Sequence, residues 1–454
     1  MADHWASVLK VEKKAAKFLV ACAGQGGRQI QELSSADLST DQRTPEAKKH
    51  GGGYYKTSLD DARRAMAQAK AMSAKFEMRV LYWMQGEGNG GPTGGIVPTR
   101  WDAELPRKDG LAWYRDQLIA YRKQWSADLY AITGQKGELP IFTYQTLGPA
   151  GEAQMMAADA DASIHLVGPH YAVASAINSR TTLGRYGDPI HLSADGERWW
   201  GEQVGKVMHR VLDEGEDWQP LRPRRAKLEA SRDGVVIEFT VPRPPLVIDT
   251  TFLAREESAI DGGFSSLAGF RVHGSRVITL TKVEIISPTS LRIRFDKALP
   301  ADEKCRVSYG YPFASALGSI AAIRKGPETD GQATEELVLT KSASKELKPL
   351  TDEGAFFVTN TSGTNSRVAI RQVHEESGVT VLRYEPRELR NGTPFAVGQS
   401  IVAMRSFSYG NVRDSDPERS VHTFADAAYG TRAGQSYPLW NWCVLFSDFD
   451  VEAP

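Results

Sequence analysis

The chain has 454 residues, 41% of them hydrophobic and 24% charged, and its formal net charge is −1. That length exceeds one ordinary core and implies two or three domains of a globular protein. The balanced charge excludes a global field toward nucleic acid or an anionic membrane. No apolar run reaches the roughly 18 residues of a membrane span. Cys22, Cys305 and Cys443, far apart and odd in number, exclude a disulfide scaffold and a cysteine-based zinc site.

The opening stretch "MADHWASVLKVEKKAAKFLVACAG" has no secretory pattern, since Phe18–Cys22 is too short an apolar core for one. Its first part reads as helical, and "KFLVACAG" reads as a short buried strand ending in glycine. "TSLDDARRAMAQAKAM" predicts a helix with Leu59, Ala62, Met66, Ala69 and Met72 near one face, capped by Ser58 and Asp61. "MRVLYWM" predicts a strand, "DGLAWYRDQLIAYRKQW" a helix, and "LPIFTYQ" and "SIHLVGP" two more strands. "SADGERWWGEQVGKVMHRVLDEG" closes the first half as a helix that turns Trp199, Trp200, Val204, Val207, Met208 and Val211 inward. Strands separated by helices predict a largely parallel sheet with helices on both faces over residues 1–217.

The Pro/Arg-rich "WQPLRPRRAKLEA" reads as a linker, placed at 218–222. Beyond it, "GVVIEFTVP", "RVITLTKVEII", a "SPTS" turn, "LRIRF" and "CRVSYGY" predict an antiparallel β domain of sandwich type. "AFFVTN", "SRVAIRQVH" and "GVTVLRYEP" add further strands, and the Lys-rich stretch at 341–348 reads as a solvated loop.

Three segments of the first half fall where strands end, which is where open α/β sheets build their sites. "GQGGRQI" at 24–30 lets backbone N–H groups approach a ligand, although a plain strand-to-helix turn would look the same. "QGE" at 85–87, with Asn89 beyond it, offers a Gln amide for a developing oxyanion and a Glu to orient substrate hydroxyls; a polar loop is the bland reading. "GDPIHLSADG" at 187–196 puts Asp188 three residues before His191, a spacing that brings a carboxylate to one ring nitrogen and frees the other as a general base.

In this order the three segments resemble the SGNH hydrolases, in their sialate O-acetylesterase-like and carbohydrate acetylesterase branch. The likeness covers about residues 15–212, and "VLYWMQGEGN" and "GDPIHLSADG" are its specific parts. It implies a three-layer α/β/α fold and hydrolysis of O-acetylated carbohydrate by a Ser–His–Asp triad, without cofactor or metal. By position, His191 would be the base and Asp188 its orienter. Gln85 with a backbone N–H of Gly26 or Gly27 would form the oxyanion hole. Glu87, Asn89 and His170, the last following the end of "SIHLVGP", would touch substrate; His165, within that run, reads as a core residue.

The nucleophile is the gap in this pattern. The resemblance places its serine in a "GDS" or "GQS" turn ahead of the glycine loop. Residues 1–23 hold only Ser7, in a helical stretch. The expectation is a chain lacking that N-terminal block. The alternatives are a degenerate homologue, such as a carbohydrate-binding or phage structural protein, or a serine from the "GQS" triplets ending at Ser400 and Ser436.

"YGNVRDSD" and "YPLWNWCVLF" resemble a tail module that follows SGNH domains in some bacterial and phage hydrolases, where it directly succeeds a "YGY" strand end. That implies a β-sandwich-like domain made of 223–311 and 407–454, with 312–406 as a β-rich insertion. Trp440 and Trp442 would share a strand face, as packing or as a sugar platform. Asp414 and Asp416 read as a capped turn or a Ca²⁺ site. Compartment and oligomeric state stay open.

Overall fold

The computed structural model describes residues 1–12, 18–35, 53–89, 108–146, 149–173, 192, 194–252, 257–259, 265–274, 277–310, 314–329, 331–344, 347, 356–360, 367–386, 394–405, 410–424 and 432–454. Asp188 and His191 lie outside these residues.

The first half contains helices α1 (Ala2–Val11), α2 (Ile30–Leu33), α3 (Gly53–Ala71), α4 (Lys108–Thr133), α5 (Pro149–Ala160) and α6 (Ala194–Leu212). Strands β1 (Leu81–Trp83), β2 (Ile141–Gln145) and β3 (Ile164–Pro169) pair in that order, both pairs parallel. Strand β2 is buried along its whole length, because it is the middle strand with a core on each face. Ile141 and Ile164 point into a cluster with Tyr114, Leu118 and Leu129 of α4 and Ala153 and Ala157 of α5. Phe142, Tyr144 and Val167 point the other way, toward Trp199, Val204 and Val207 of α6.

A three-layer α/β/α domain built on a mostly parallel sheet is nevertheless not what this chain forms. Among the described residues parallel pairing is confined to these three short strands and an isolated Lys227–Glu452 bridge, and the remaining sheets are antiparallel. The expected strand "KFLVACAG" is one reason. Residues 18–25 carry no strand pairing, and Leu19 and Val20 are each 63% exposed. An apolar run becomes a strand only where a neighbour takes its N–H and C=O groups, and no described segment does so.

Helix α3 also begins earlier than expected, at Gly53. Ser58 is therefore interior to it; its hydroxyl donates to the Tyr55 carbonyl at 2.6 Å and accepts from Trp125 Nε1 at 2.9 Å. The buried face is Tyr55, Ser58, Leu59, Ala62 and Ala65, while Met72 is exposed.

The supposed linker is structured. Trp218 and Leu221 are buried, and β4 (Arg222–Leu228) pairs antiparallel with β5 (Gly234–Thr240). These two extend through Ser290–Phe295 to Leu280–Ser287, a four-stranded sheet. It shares one core with a second antiparallel sheet that contains Phe270–His273, Arg306–Tyr309 and Phe446–Asp450. A separate seven-stranded antiparallel sheet lies between Ala314 and Arg405 around its own cluster. Ala343 and Leu347, in the stretch expected to be solvated, are buried in that cluster. No helix of the described residues is long and apolar enough to cross a membrane.

Candidate active site

The segment after β1 makes the first contact. Gly86 and Gly88 are required there, since a Cβ on Gly86 would fall 2.6 Å from Thr146 Cγ2 and one on Gly88 3.0 Å from the Arg28 carbonyl oxygen. This close approach lets Gln85 and Asn89 hold the glycine-loop segment. Gln85 Nε2 donates to the Arg28 carbonyl at 3.0 Å and to Asn89 Oδ1 at 2.7 Å. Asn89 Oδ1 also accepts the Ile30 N–H at 2.9 Å, which satisfies an orphan donor at the start of α2, and Asn89 Nδ2 donates to Gln31 Oε1 at 2.9 Å. The Tyr114 hydroxyl lies 2.8 Å from Gln85 Oε1, and Gln154 Nε2 donates to the Gln85 carbonyl at 2.6 Å.

Both protons of the Gln85 amide are thus committed within the protein, so in this arrangement it locks two loops rather than offering a free donor. Asn89 is fully buried and bound on both sides of its amide, which is a scaffolding role. Gly26 and Gly27 are exposed, with Gly27 at φ +70°, and nothing stands within 4 Å of a Cβ built on either. Their side of the loop is open.

Two residues from Gln85, Glu87 behaves differently. Its Oε1 accepts the Tyr144 hydroxyl at 2.5 Å and the Thr146 hydroxyl. Its Oε2 takes no hydrogen bond from any described residue, and the side chain is only partly buried. The Tyr144 ring in turn lies 4.9 Å from the His170 ring, and Trp200 stands 6.3 Å from His170 and donates its indole N–H to the Tyr82 hydroxyl at 2.5 Å. Burial pushes the Tyr144 phenol well up, helped by the Glu87 carboxylate, so Tyr144 remains a donor.

His170 is 1% exposed. Its Nδ1 lies 3.3 Å from the Gln145 carbonyl, which can only accept, so Nδ1 carries the proton. Nε2 is then a bare acceptor, and among the described residues it has no hydrogen-bond partner. Burial lowers the proton affinity of the ring, against the pull of Glu87. The Gln145 side chain fixes this corner: its Nε2 donates to the Leu445 carbonyl at 2.7 Å and its Oε1 accepts the Leu445 N–H at 2.6 Å.

The structure therefore joins Gly26 and Gly27 to Gln85 and Asn89 through the Arg28–Ile30 segment, and joins Glu87 to His170 through Tyr144. Leu192, next in sequence to His191, is buried in the same core cluster as Tyr144 and Trp200. Sequence reasoning missed Tyr144, Thr146 and Trp200 as parts of this corner. The available signal was polar Thr, Tyr and Gln crowding the end of a wholly buried strand in "LPIFTYQT".

One Ser–His–Asp cluster is present elsewhere. Ser308 Oγ lies 3.3 Å from His273 Nε2, and Asp448 Oδ1 lies 2.8 Å from the same nitrogen. A triad needs serine and carboxylate on opposite ring nitrogens. Here both groups crowd the one nitrogen, Nε2, so the carboxylate does not orient the ring from the far side as a triad requires. Of the other candidate serines, Ser400 Oγ lies 3.2 Å from Ser319 Oγ, and Ser436 opens a strand paired with Arg419–Thr423.

The tail residues also resolve. Asp414 accepts the Asn441 and Arg243 N–H groups and the Asn441 amide, and Asp416 accepts Lys206 and Arg210 at 3.0 Å each. Internal donors thus saturate both carboxylates. Trp442 is buried, edge-on to Tyr171, and Trp440 lies under the Arg413 guanidinium at 3.5 Å. The two indoles are packed, not a free platform. Glu12, His209 and Glu214 are close enough to share a cation, but the two carboxylates approach opposite nitrogens of one ring, at 3.0 and 3.7 Å, so no one ring nitrogen faces both.

No protein-family model matches the chain, and no curated protein does. Among solved structures, a carbohydrate acetylesterase from Xanthomonas citri aligns with 18% identity and a TM-score of 0.43, over 68% of this chain and 59% of that enzyme. The chain thus spans less than two thirds of that enzyme's length, and a superposition this loose fixes neither fold nor activity.

Proposed function

We propose that this chain belongs to an ester hydrolase that removes O-acyl groups, acetyl foremost, from carbohydrates. The observation that carries the reading is the meeting of two glycine loops beside a half-exposed carboxylate and a buried imidazole, at the carboxyl ends of β1, β2 and β3. In the reaction a serine attacks the acyl carbonyl and His191 takes its proton. Asp188 holds the imidazolium. The N–H groups of Gly26 and Gly27 face the oxyanion, and Gln85 sets their loop. The division of the chain near residue 217 and the reading of 312–406 as an inserted unit belong to the same proposal. In their support, Arg306–Tyr309 pairs with Phe446–Asp450, and Val412 N donates to the Tyr309 hydroxyl at 2.8 Å where the chain returns.

A second reading, a carbohydrate-binding protein without turnover, is favoured by one observation: at Ser308, a described serine hydrogen-bonded to a histidine ring, the carboxylate lies on the same ring nitrogen as the serine. The test is hydrolysis of p-nitrophenyl acetate and an O-acetylated methyl xyloside by the 454-residue chain and by the chain with any encoded upstream residues. Turnover that disappears in His191→Ala supports the hydrolase. Absence of turnover in both forms, with glycan binding retained, supports the binding protein.

A further inference from the structure

Two polar atoms around Tyr144 are left without donors. Among the described residues Glu87 Oε2 receives no hydrogen bond, and His170 Nε2 is buried without a hydrogen-bond partner. Both are acceptors, and both are held by their other half: Glu87 by two hydroxyls on Oε1, His170 by the Gln145 carbonyl on Nδ1. A single tyrosine side chain spans them, its hydroxyl at 2.5 Å from Glu87 and its ring 4.9 Å from that of His170. Aromatic faces of Tyr144 and Trp200 flank them. A buried acceptor such as His170 Nε2 costs stability unless a donor arrives, and the partly exposed Glu87 is open to one.

We infer that this corner recognises two neighbouring free hydroxyls of a sugar ring, one donating to Glu87 Oε2 and the other to His170 Nε2. The inference rests on the carbohydrate reading above and adds to it a requirement: the acylated sugar must carry an unacylated vicinal diol. The ligand supplies the two missing donors, and the indole and phenol rings supply the apolar contact that the C–H faces of a pyranose need. A divalent cation fits less well. Two ligand atoms are too few for one, and among the described residues no further His, Cys, Asp or Glu groups with Glu87 and His170 to hold an ion. The corner also adjoins a narrow cleft lined by Gly168, Pro169, Trp200, Gln203, Trp440 and Trp442, so Trp200 is shared between the two.

The experiment is ligand-observed NMR titration of the 454-residue chain with methyl glycosides of galactose, glucose and mannose, and with tetrahydropyran-2-methanol, which has the ring but no diol. At least one glycoside should bind while the ether does not. Glu87→Leu and His170→Leu should each weaken that glycoside about tenfold, the worth of one hydrogen bond to a buried acceptor. His170→Gln, which keeps an acceptor, should stay within about threefold of the parent. Near-ultraviolet circular dichroism of each variant confirms that it folds, and Glu87→Leu serves if His170→Leu does not. Equal binding of ether and glycosides, no binding of any glycoside, or unchanged affinity in folded Leu variants overturns the diol site and leaves an immobilised water only. Binding that vanishes in EDTA overturns it in favour of a cation. Binding is read without turnover, so a chain without esterase activity leaves this result standing. An esterase whose activity Glu87→Leu does not alter overturns the diol site alone.

Discussion

Gln85 and Glu87 stand two residues apart on one loop, and their hydrogen-bond states are opposite. Gln85 has every polar atom engaged: its amide grips the Arg28 carbonyl and Asn89, and its oxygen faces Tyr114. Glu87 is engaged on one oxygen and open on the other. The same contrast separates Asn89, bound on both sides, from His170, bound on one. Saturated polar groups fix the backbone, and half-saturated ones are where a ligand can add free energy. Residue type does not tell the two apart, since Gln85 is as plausible a catalytic amide as Glu87 is a binding carboxylate.

The comparison is broken most severely at the far end of the saturated class. Lys206 is fully buried, donating to Asp416 and to Asn441 Oδ1 at 3.0 Å each. Burial works against the Asp416 carboxylate, yet Lys206 and Arg210 pull its pKa down to about 2. Lys206→Ala leaves that carboxylate short of one of its two cations and should cost about 3–5 kcal/mol, measured by urea unfolding. Asn89→Ala comes next. It strips the Ile30 N–H, one Gln85 proton and the Gln31 oxygen of their partner, and should cost about 3 kcal/mol in the same measurement. A loss under about 1 kcal/mol would mean that the lock is not what holds the two loops.

A smaller effect is expected from His4. Burial opposes its charge, but its hydrogen bonds to Glu202 at 3.1 Å and Glu418 at 2.9 Å outweigh that and raise its proton affinity above the ordinary imidazole range. The folded state therefore binds the proton more tightly than the unfolded state. The stability this contributes is complete below the unfolded imidazole pKa near 6.5 and is lost as pH rises through the higher folded value. Melting temperatures should fall from pH 6 to pH 8, and His4→Gln should flatten that slope. The smallest change belongs to Glu87→Gln. An amide in place of the half-free carboxylate should shift unfolding by roughly 0.5 kcal/mol or less, while removing most of whatever binding Glu87 provides. A large stability loss there would place Glu87 with the scaffold and erase the contrast.

Much of the local structure was legible. Helices α4 and α6 follow their apolar periodicity, and Trp199, Trp200, Val204, Val207 and Met208 turn inward because they share one face. Strands β1, β2 and β3 follow short apolar runs bounded by turn residues. The failures have a common cause. Residues 18–25 have strand-forming side chains but no backbone partner, and 222–228 look like a linker yet have one in β5. Pairing is a property of two segments, so one-dimensional reading misjudged both. The mostly parallel three-layer sheet fell for the same reason, since strand number and direction depend on which segments meet.

The sequence by itself determined the helical and strand periodicities, the glycine-rich turns that permit close backbone approach, and the residue types able to do acyl-transfer chemistry. Only the tertiary structure decided which polar groups are spent. On α6, Glu202, Gln203, Lys206, His209 and Arg210 are all buried, with Gln203, Lys206 and Arg210 bonded to residues beyond 410. A polar side chain becomes scaffold or site according to whether its partners arrive from elsewhere in the chain, and these partners lie more than 200 residues away.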